Sequence, residues 1–287
     1  MKIAVITDST AYLDQAYIDE YQIKIIPLNV IFKDETYREL IDLNTEDFYK
    51  RMRNETQLPT TSQPTIGDYV AFLEELEREG YTDVIAIHLS SGISGAYQGA
   101  ITANSMVEGI KVHPFDSEIS CMVQGFYTLK ASQLIRENVP LESILKQLEE
   151  MKQAANAYFI VDDLNNLKKG GRLNGAQALV GTMLQVKPIL HFVDTKIVPY
   201  EKVRTKKRAM KRIEEQIAKE IDQSSEVSIC VIHANDEEGA LAWKKQLEEK
   251  FPKANVIISY FGPVIGTHLG EGSLGVGYTT TPIDLTK

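Results

Sequence analysis

Hydroxyl-bearing side chains and glycines are concentrated in residues 90–95 (SSGISG), which follow the apolar run 84–87 (VIAI). The apolar run is typical of a strand buried on both faces of a parallel sheet, and residues 96–107 have the composition of a helix. Unpaired N–H groups at a helix start, rotatable serine hydroxyls and glycines that admit a ligand to the backbone together favour a bound anion. The pattern predicts an anion-binding turn, with an ordinary strand–helix turn capped by serine as the plainer alternative.

Short polar side chains recur in residues 8–10 (DST) and 116–117 (DS), where other strands are predicted to end, and in residues 60–62 (TTS), which lie between two prolines. Taken singly, each group also suits the N-cap of a helix. Ligands of open parallel sheets bind beyond the carboxyl ends of the strands, which share one edge. We therefore expect these groups to converge with residues 90–95 at one edge of a sheet.

Several common kinds of site are missing from the sequence. The five histidines lack the spacing of a helical metal pair, no Walker A sequence occurs, and the glycine-rich tail has no βαβ unit to support its GxGxxG match. What remains is hydroxyls, glycines, His268 and two arginine-bearing loops, a set that suits holding a carboxylate or phosphate. A serine esterase or thioesterase that uses Ser94 and His268 stays open as an alternative, as does a regulatory domain that binds a phosphorylated metabolite.

Composition and charge restrict the class of protein. The chain has 287 residues, 43% of them hydrophobic, and a net charge of −9, which argues against a nucleic-acid partner. Cys121 and Cys230 lie in apolar segments without paired spacing and are interpreted as buried thiols of a reducing compartment. Because no apolar run approaches a membrane span and residues 1–6 begin a strand at once, we expect a cytoplasmic protein without a signal peptide.

The order of predicted elements gives the fold class. Strands alternate with helices as far as about residue 155, which predicts a parallel sheet with helices on both faces. Beyond it, two strands separated by Asp194 and Thr195 predict a hairpin, and hence a mixed sheet with helices. We expect two α/β domains, 1–155 and 156–287, with the last residues able to pack back on the first domain. The apolar helix predicted at 176–184 is a candidate wall for a ligand tunnel, and its alternative is plain core.

Seven short motifs, in this order, resemble the DegV family across essentially the whole chain. They are residues 8–10 (DST), 60–64 (TTSQP), 89–95 (LSSGISG), 115–117 (FDS), 171–173 (GRL), 187–189 (KPI) and 262–268 (GPVIGTH). The resemblance is greatest to the fatty-acid-binding subunits of bacterial fatty acid kinase. It implies two α/β domains that enclose a long-chain fatty acid, with no cofactor, no metal and no catalysis by this chain alone.

The resemblance also implies roles for individual residues. The fatty-acid carboxylate would be held by the hydroxyls of Thr61 and Ser94, with Ser62 and Ser91 beside them. The residues that face the kinase and its phosphate would be Arg172, Arg204 and His268.

The partner implied by the family is an ATP-dependent kinase subunit, which makes acyl-phosphate for phospholipid synthesis, and a transient contact with a membrane surface would fit. Two residues depart from the family pattern: Ala96 where another hydroxyl is frequent, and Glu271 where proline is common after His-x-Gly.

Overall fold

A computed structural model describes residues 2–162, 164–173, 186–221 and 226–286. The helix predicted at residues 176–184 lies outside the described residues. The first part of the chain forms these elements: β1 (Ile3–Asp8), α1 (Gln15–Tyr21), β2 (Lys24–Ile26), β3 (Asn29–Phe32), β4 (Glu35–Arg38), α2 (Thr45–Asn54), β5 (Thr60–Ser62), α3 (Ile66–Arg78), β6 (Asp83–His88), α4 (Ala96–Asn104), β7 (Lys111–Asp116), α5 (Cys121–Arg136) and α6 (Leu141–Met151).

The second part forms the remaining described elements. They are β8 (Ala155–Ile160), α7 (Asn165–Lys169), β9 (Lys187–Val193), β10 (Lys196–Val203), α8 (Lys206–Glu220), β11 (Val227–His233), α9 (Glu237–Lys250), β12 (Ala254–Tyr260), α10 (Pro263–Leu269) and β13 (Leu274–Thr279). No helix of the described residues is long and apolar enough to cross a membrane.

The predicted parallel sheet is confirmed in the first part of the chain. Its strand order is β2-β1-β6-β7, and every pairing between neighbours is parallel. The strand β6 is buried along its whole length, as its unbroken apolar run indicates. Because β1, β6 and β7 run the same way, the turns that follow Asp8, His88 and Asp116 lie at one edge of this sheet.

A second, three-stranded antiparallel sheet in the first part has the order β4-β3-β5. Its strand β5 pairs with β3 so that Thr61 lies opposite Val30. The strand β5 was not predicted from the sequence. Its three hydroxyl residues lie between two prolines and do not alternate between apolar and polar types. This segment is a strand only because it pairs with β3.

The second part contains a mixed, six-stranded sheet of order β10-β9-β8-β13-β11-β12, which confirms the predicted mixed topology. The glycine-rich tail forms α10 and the strand β13, which lies between β8 and β11. Gly277 of β13 packs directly on α5, since a Cβ on this residue would lie 2.1 Å from Val123 Cγ2. The glycines of the tail therefore allow a strand to approach a helix closely.

The two parts share one hydrophobic core, which includes residues of α5 together with residues of β8, β11 and α10. The last described residues return to the first part: the Tyr17 hydroxyl donates to Leu285 O at 3.1 Å, and Gln133 Nε2 donates to Asp284 O at 2.8 Å. The buried cysteines Cys121 and Cys230 belong to this core and are unpaired. The division into domains at residue 155 stays a prediction.

Candidate functional site

A buried polar network fixes the end of β6. The Asp8 carboxylate contacts His88 Nδ1 at 3.0 Å and accepts the backbone N–H of Leu89 at 2.9 Å. His88 Nε2 lies 2.7 Å from the Tyr69 hydroxyl. Burial alone would raise the pKa of Asp8, but hydrogen bonds from His88, Thr10 and Leu89 hold that pKa below its usual value. The network positions the start of the hydroxyl-rich turn without facing solvent.

The turn itself is closed by its own backbone. The N–H groups of Ile93 and Ser94 both donate to Ser90 O at 3.1 Å, and α4 begins two residues later. The Ser94 hydroxyl accepts the backbone N–H of Ala96 at 3.2 Å, which leaves its proton available to another acceptor. The strand–turn–helix arrangement predicted from the sequence is therefore present.

Thr61 meets His268 across the two parts of the chain. The Thr61 hydroxyl lies 2.8 Å from His268 Nε2, while His268 Nδ1 is buried and has no hydrogen-bond partner among the described residues. Burial, followed by the nearby charge of Arg172, lowers the pKa of His268 to about 3. The imidazole is therefore neutral at pH 7, with one nitrogen directed at Thr61.

Arg172 links α7 to the hydroxyl-rich turn. Its Nε donates to Ile93 O at 3.1 Å, and Nη1 donates to Gly170 O at 2.5 Å. Gly170 must be glycine here, because a Cβ would lie 2.3 Å from His268 Nδ1. Burial lowers the pKa of the Arg172 guanidinium from its ordinary value, but an arginine still carries its charge in a protein.

These contacts form a closed circuit, which we call the polar ring. Thr61 contacts His268, and the imidazole of His268 lies against Gly170. Arg172, two residues after Gly170, donates to Ile93 O beside Ser94. Gly95 then packs on Gln63, since a Cβ on Gly95 would lie 2.8 Å from Gln63 Nε2. Gln63 returns the circuit to Ser62 and Thr61 along the chain. The members of the polar ring are Thr61, Ser62, Gln63, Ser94, Arg172 and His268.

The polar ring lines part of a cavity between the two parts of the chain. The space between the lining side chains is about 750 Å³ when the open mouth is included. Most of the remaining wall is apolar: Leu28, Leu89, Ile93, Ala157, Phe159, Leu167, Phe192, Ile197, Ile232, Phe261, Val264, Ile265, Leu269 and Val276. The cavity therefore offers an apolar interior with a small group of polar side chains in its wall.

An open cleft lies on the other side of the polar ring. Thr61, Arg172 and His268 line both the cavity and this cleft. The cleft is otherwise largely polar and is lined by the segment 55–60 together with Asn165, Asn166, Lys169, Gly170 and Thr267. These three side chains thus stand between the apolar interior and the surface.

The structure brings together five of the seven residues predicted for the site. Thr61, Ser62, Ser94, Arg172 and His268 all line the cavity.

Ser91 lies elsewhere, because the turn directs its side chain to solvent while its backbone N–H donates to Asp116 at 3.1 Å. Arg204 is exposed just after the last paired residue of β10, and it lines neither the cavity nor the cleft.

Ala96 and Glu271, the two residues that depart from the family pattern, both have defined contacts in the structure. Ala96 is fully buried in the core at the start of α4, where its methyl packs and offers no donor. Glu271 accepts hydrogen bonds from Arg53 of α2 and from Asn235 Nδ2, so it ties the loop after α10 to two neighbouring segments.

Sequence reasoning missed other residues that contribute to the site. Gln63 completes the polar ring, and Ser120 and Cys121 line the cavity at the start of α5. Gln63 could have been found from its place in the TTSQP motif. Cys121 was identified only as a buried thiol, and burial raises its pKa to about 12.

The chain matches the sequence profile of the DegV family, described as an uncharacterised protein family, over residues 2–281. It is 53% identical over 277 residues to the protein DegV of Bacillus subtilis, which covers 96% of this chain and 98% of the relative.

Two crystal structures have the same fold. DegV of Bacillus subtilis, described as a fatty acid binding protein, matches with a TM-score of 0.93 and 52% identity over 98% of this chain and 100% of that one. A fatty acid binding DegV family protein of Streptococcus agalactiae matches with a TM-score of 0.91 and 34% identity, and covers 98% of this chain and 100% of its own.

Proposed function

The chain belongs to the DegV family, and from this premise we propose that it binds a long-chain fatty acid with the tail in the cavity and the carboxylate at the polar ring. The observation that carries the proposal is the polar ring itself: Thr61, Ser94, Arg172 and His268 lie near one another in the wall of an apolar cavity. Two similar proteins of known structure are described as fatty acid binding, which supports the choice of ligand.

The energetics indicate different roles for the apolar cavity and the polar ring. Burial of a methylene is worth about 0.8 kcal/mol, so a tail of ~16 carbons offers on the order of 11 kcal/mol before losses. Part of that gain is lost to ordering the tail and to association entropy. Each hydrogen bond to the carboxylate is worth about 1.5–3 kcal/mol, so the cavity would supply the larger part of the affinity and the hydroxyls would set the orientation.

The carboxylate would be held by neutral donors. When His268 Nε2–H donates to Thr61 Oγ1, the Thr61 hydroxyl proton is free for the ligand, and the Ser94 proton is also available. Ser62, which accepts from Asn29 Nδ2 at 3.3 Å, is the third donor. Neutral donors leave more electron density on the carboxylate than a direct arginine salt bridge would, so its oxygen stays nucleophilic.

We further infer that the protein presents this carboxylate to an ATP-dependent kinase subunit, which makes acyl-phosphate for phospholipid synthesis. The cleft beyond the polar ring gives a partner access to Thr61, Arg172 and His268. Arg172 is suited to stabilise the charge of an incoming phosphoryl group. Arg204, exposed outside the cleft, is suited to contact the partner itself. The catalytic step belongs to the kinase, and this chain supplies the acyl group.

An esterase that uses Ser94 and His268 is less well supported. His268 Nε2 contacts Thr61 and Nδ1 lies against Gly170, and among the described residues no hydrogen bond joins His268 to Ser94 or to an orienting carboxylate. Substitution Ser94→Ala distinguishes the two functions: it weakens fatty-acid retention if the chain is a carrier, and it abolishes ester hydrolysis if the chain is an esterase.

The direct test is mass spectrometry of the ligand extracted from purified protein under denaturing conditions. We expect a long-chain fatty acid in near-stoichiometric amount. A polar phosphorylated compound would instead support a metabolite-binding regulator, and protein that neither carries nor takes up fatty acid would contradict the proposal.

The kinase role has its own test. Substitution Arg204→Glu should leave the amount of bound fatty acid unchanged and abolish phosphorylation by the kinase subunit, with Lys207→Glu as a matched charge reversal on the adjacent helix α8. Loss of bound fatty acid in Arg204→Glu would contradict the role given to Arg204, and unchanged phosphorylation would do so as well.

A further inference from the structure

Glu39 is a buried carboxyl that connects the first part of the chain to α10. It follows β4 and is 1% exposed. One carboxyl oxygen accepts the backbone N–H of Val264 at 2.7 Å and the Tyr12 hydroxyl at 2.8 Å, and the other accepts the Ser9 hydroxyl. The Ser9 oxygen in turn accepts the N–H of Leu28, a residue of the cavity wall, at 3.1 Å.

The start of α10 depends on this group. Its N-cap is Gly262, which has no side chain to accept an N–H, and Pro263 has no N–H to donate. The next two N–H groups, of Val264 and Ile265, donate to Glu39 and to the Tyr12 hydroxyl. Gly262 also packs tightly on Tyr12, since a Cβ would lie 2.3 Å from Tyr12 Cε1. The first part of the chain therefore supplies the cap of a helix in the second.

Helix α10 is part of the proposed fatty-acid site. Val264, Ile265 and Leu269 line the cavity, and His268 contacts Thr61 in the polar ring. A shift of α10 away from Glu39 would open this wall and separate His268 from Thr61. The position of α10 thus controls both the apolar wall and the orientation of a carboxylate-binding hydroxyl.

The titratable neighbours of Glu39 do not stabilise a negative charge on it. Among the described residues they include Asp8 of β1, Tyr12, Tyr49 of α2, Cys121 of α5 and Tyr260 of β12, and none of these five is a cation.

The titratable group of α10 itself, His268, is neutral at pH 7. Burial raises the pKa of Glu39 to about 7, although the hydrogen bonds from Ser9, Val264 and Tyr12 act in the opposite direction. Burial is therefore the larger of the two effects.

We propose that Glu39 is a positioning residue of the fatty-acid site: its buried carboxyl joins the start of α10 to the first part of the chain and so fixes the cavity wall and His268. If α10 moves away, water reaches Glu39 and its affinity for a proton returns to the ordinary value. The open arrangement therefore binds fewer protons than the closed one, and a rise in pH favours opening. The choice of ligand in this inference rests on the proposed function, whereas the hold on α10 does not.

The first test is the release rate of bound oleate as a function of pH, for the wild-type chain and for Glu39→Gln. With a pKa of about 7 in the closed state and 4.5 in the open state, linkage predicts that opening increases about tenfold from pH 6 to pH 8. The neutral variant should lack this increase. The carboxyl of the fatty acid also titrates, but it does so in both proteins. The test is therefore the difference between their two release-rate profiles.

Two control variants sharpen the test. Glu214→Gln neutralises another buried carboxyl, which accepts from Trp243 Nε1 at 3.1 Å, far along the chain from α10, and it should keep the wild-type pH profile. Tyr12→Phe removes one donor to Glu39 but keeps the carboxyl, so release should be faster and still pH-dependent. A pH profile of Glu39→Gln that matches the wild type would overturn the proposal.

Hydrogen exchange at the amides of Val264 and Ile265 tests the hold on α10 without a ligand. We expect their protection factors to fall from pH 6 to pH 8 in the wild type and to stay constant in Glu39→Gln. If the protein binds no fatty acid but protection follows Glu39, the proposed function fails and the hold on α10 stands. If fatty acid binds and protection is the same in both proteins, the inference about Glu39 fails alone.

Discussion

The two sides of the polar ring are built differently. The side from the first part of the chain is uncharged: it consists of two hydroxyls on β5, Gln63 directly after β5, and Ser94 in a turn that the buried Asp8–His88 pair fixes in place. The side from the second part consists of Arg172 and His268, carried after α7 and on the short helix α10, whose start is capped from across the molecule by Glu39.

The difference indicates a division of labour. In the proposed function, the neutral side suits a carboxylate that must keep its nucleophilicity. Arg172 on the other side borders the cleft and would suit a partner's phosphate, and this is the side that would move if α10 left Glu39. The following predictions each remove one feature from one side, in order of decreasing expected effect.

The largest effect is expected on the fixed side. Substitution Asp8→Ala leaves buried His88 and the Leu89 N–H without their acceptor, and such a loss costs about 3–5 kcal/mol of unfolding free energy. Chemical denaturation measures it. The isosteric Asp8→Asn keeps an oxygen for Leu89 and should cost less, whereas equal losses in both variants would mean that the hydrogen bond to Leu89 contributes nothing.

Glu39→Gln is expected to change stability with a sign that depends on pH. The folded-state pKa of Glu39 is raised from 4.5 to about 7, so its contribution to stability is fully present below pH 4.5 and is lost as pH rises towards 7. Relative to the wild type, Glu39→Gln should therefore gain stability between pH 5 and pH 8, by on the order of 3 kcal/mol. Thermal melting at the two pH values measures the difference, and a constant difference would show that Glu39 does not titrate in this range.

Thr61→Val removes one hydroxyl from the neutral side at nearly constant volume. A hydrogen bond to a charged group is worth about 1.5–3 kcal/mol, so palmitate affinity should fall roughly ten- to a hundredfold, as measured by isothermal titration. Binding of the uncharged methyl ester should fall less, because it lacks the carboxylate that Thr61 would hold. Equal losses of affinity for the acid and the ester would mean that Thr61 contacts the tail and does not bind the carboxylate.

The smallest effect is expected at the rim of the movable side. Arg53 and Glu271 form an exposed ion pair between α2 and the loop after α10. Surface pairs of this kind contribute about 0–1 kcal/mol. Arg53→Met should therefore change the free energy of unfolding, measured by chemical denaturation, by no more than about 1 kcal/mol. A loss of several kcal/mol would show that this loop, and not Glu39, fixes α10.

Local sequence patterns predicted the parallel sheet better than the strands β5 and β13. The apolar run before residues 90–95 gave the buried strand β6, and alternation of strands and helices gave the parallel sheet, because both depend on neighbouring residues. The strands β5 and β13 were missed: the first is all hydroxyls, and the second is rich in glycine. Both form because strands distant in sequence pair with them, and a local pattern of apolar residues cannot indicate such pairing.

The candidate site follows the same rule. Thr61 and Ser94 were identified from short motifs and family resemblance, and both line the cavity. Ser91 was grouped with them by proximity in sequence, but a tight turn sends adjacent side chains in different directions. Glu39 carried no signal, because a single glutamate between exposed neighbours gives no indication that its carboxyl will be buried under a helix more than two hundred residues away.

The central claim is that the apolar cavity supplies affinity while uncharged hydroxyls orient the head group. Calorimetric affinities for laurate, myristate and palmitate, measured below the concentration at which they form micelles, test it most directly. At about 0.8 kcal/mol per methylene, each pair of added methylenes should tighten binding by roughly tenfold. Three equal affinities would contradict the account, because binding would then depend on the carboxylate and not on the tail.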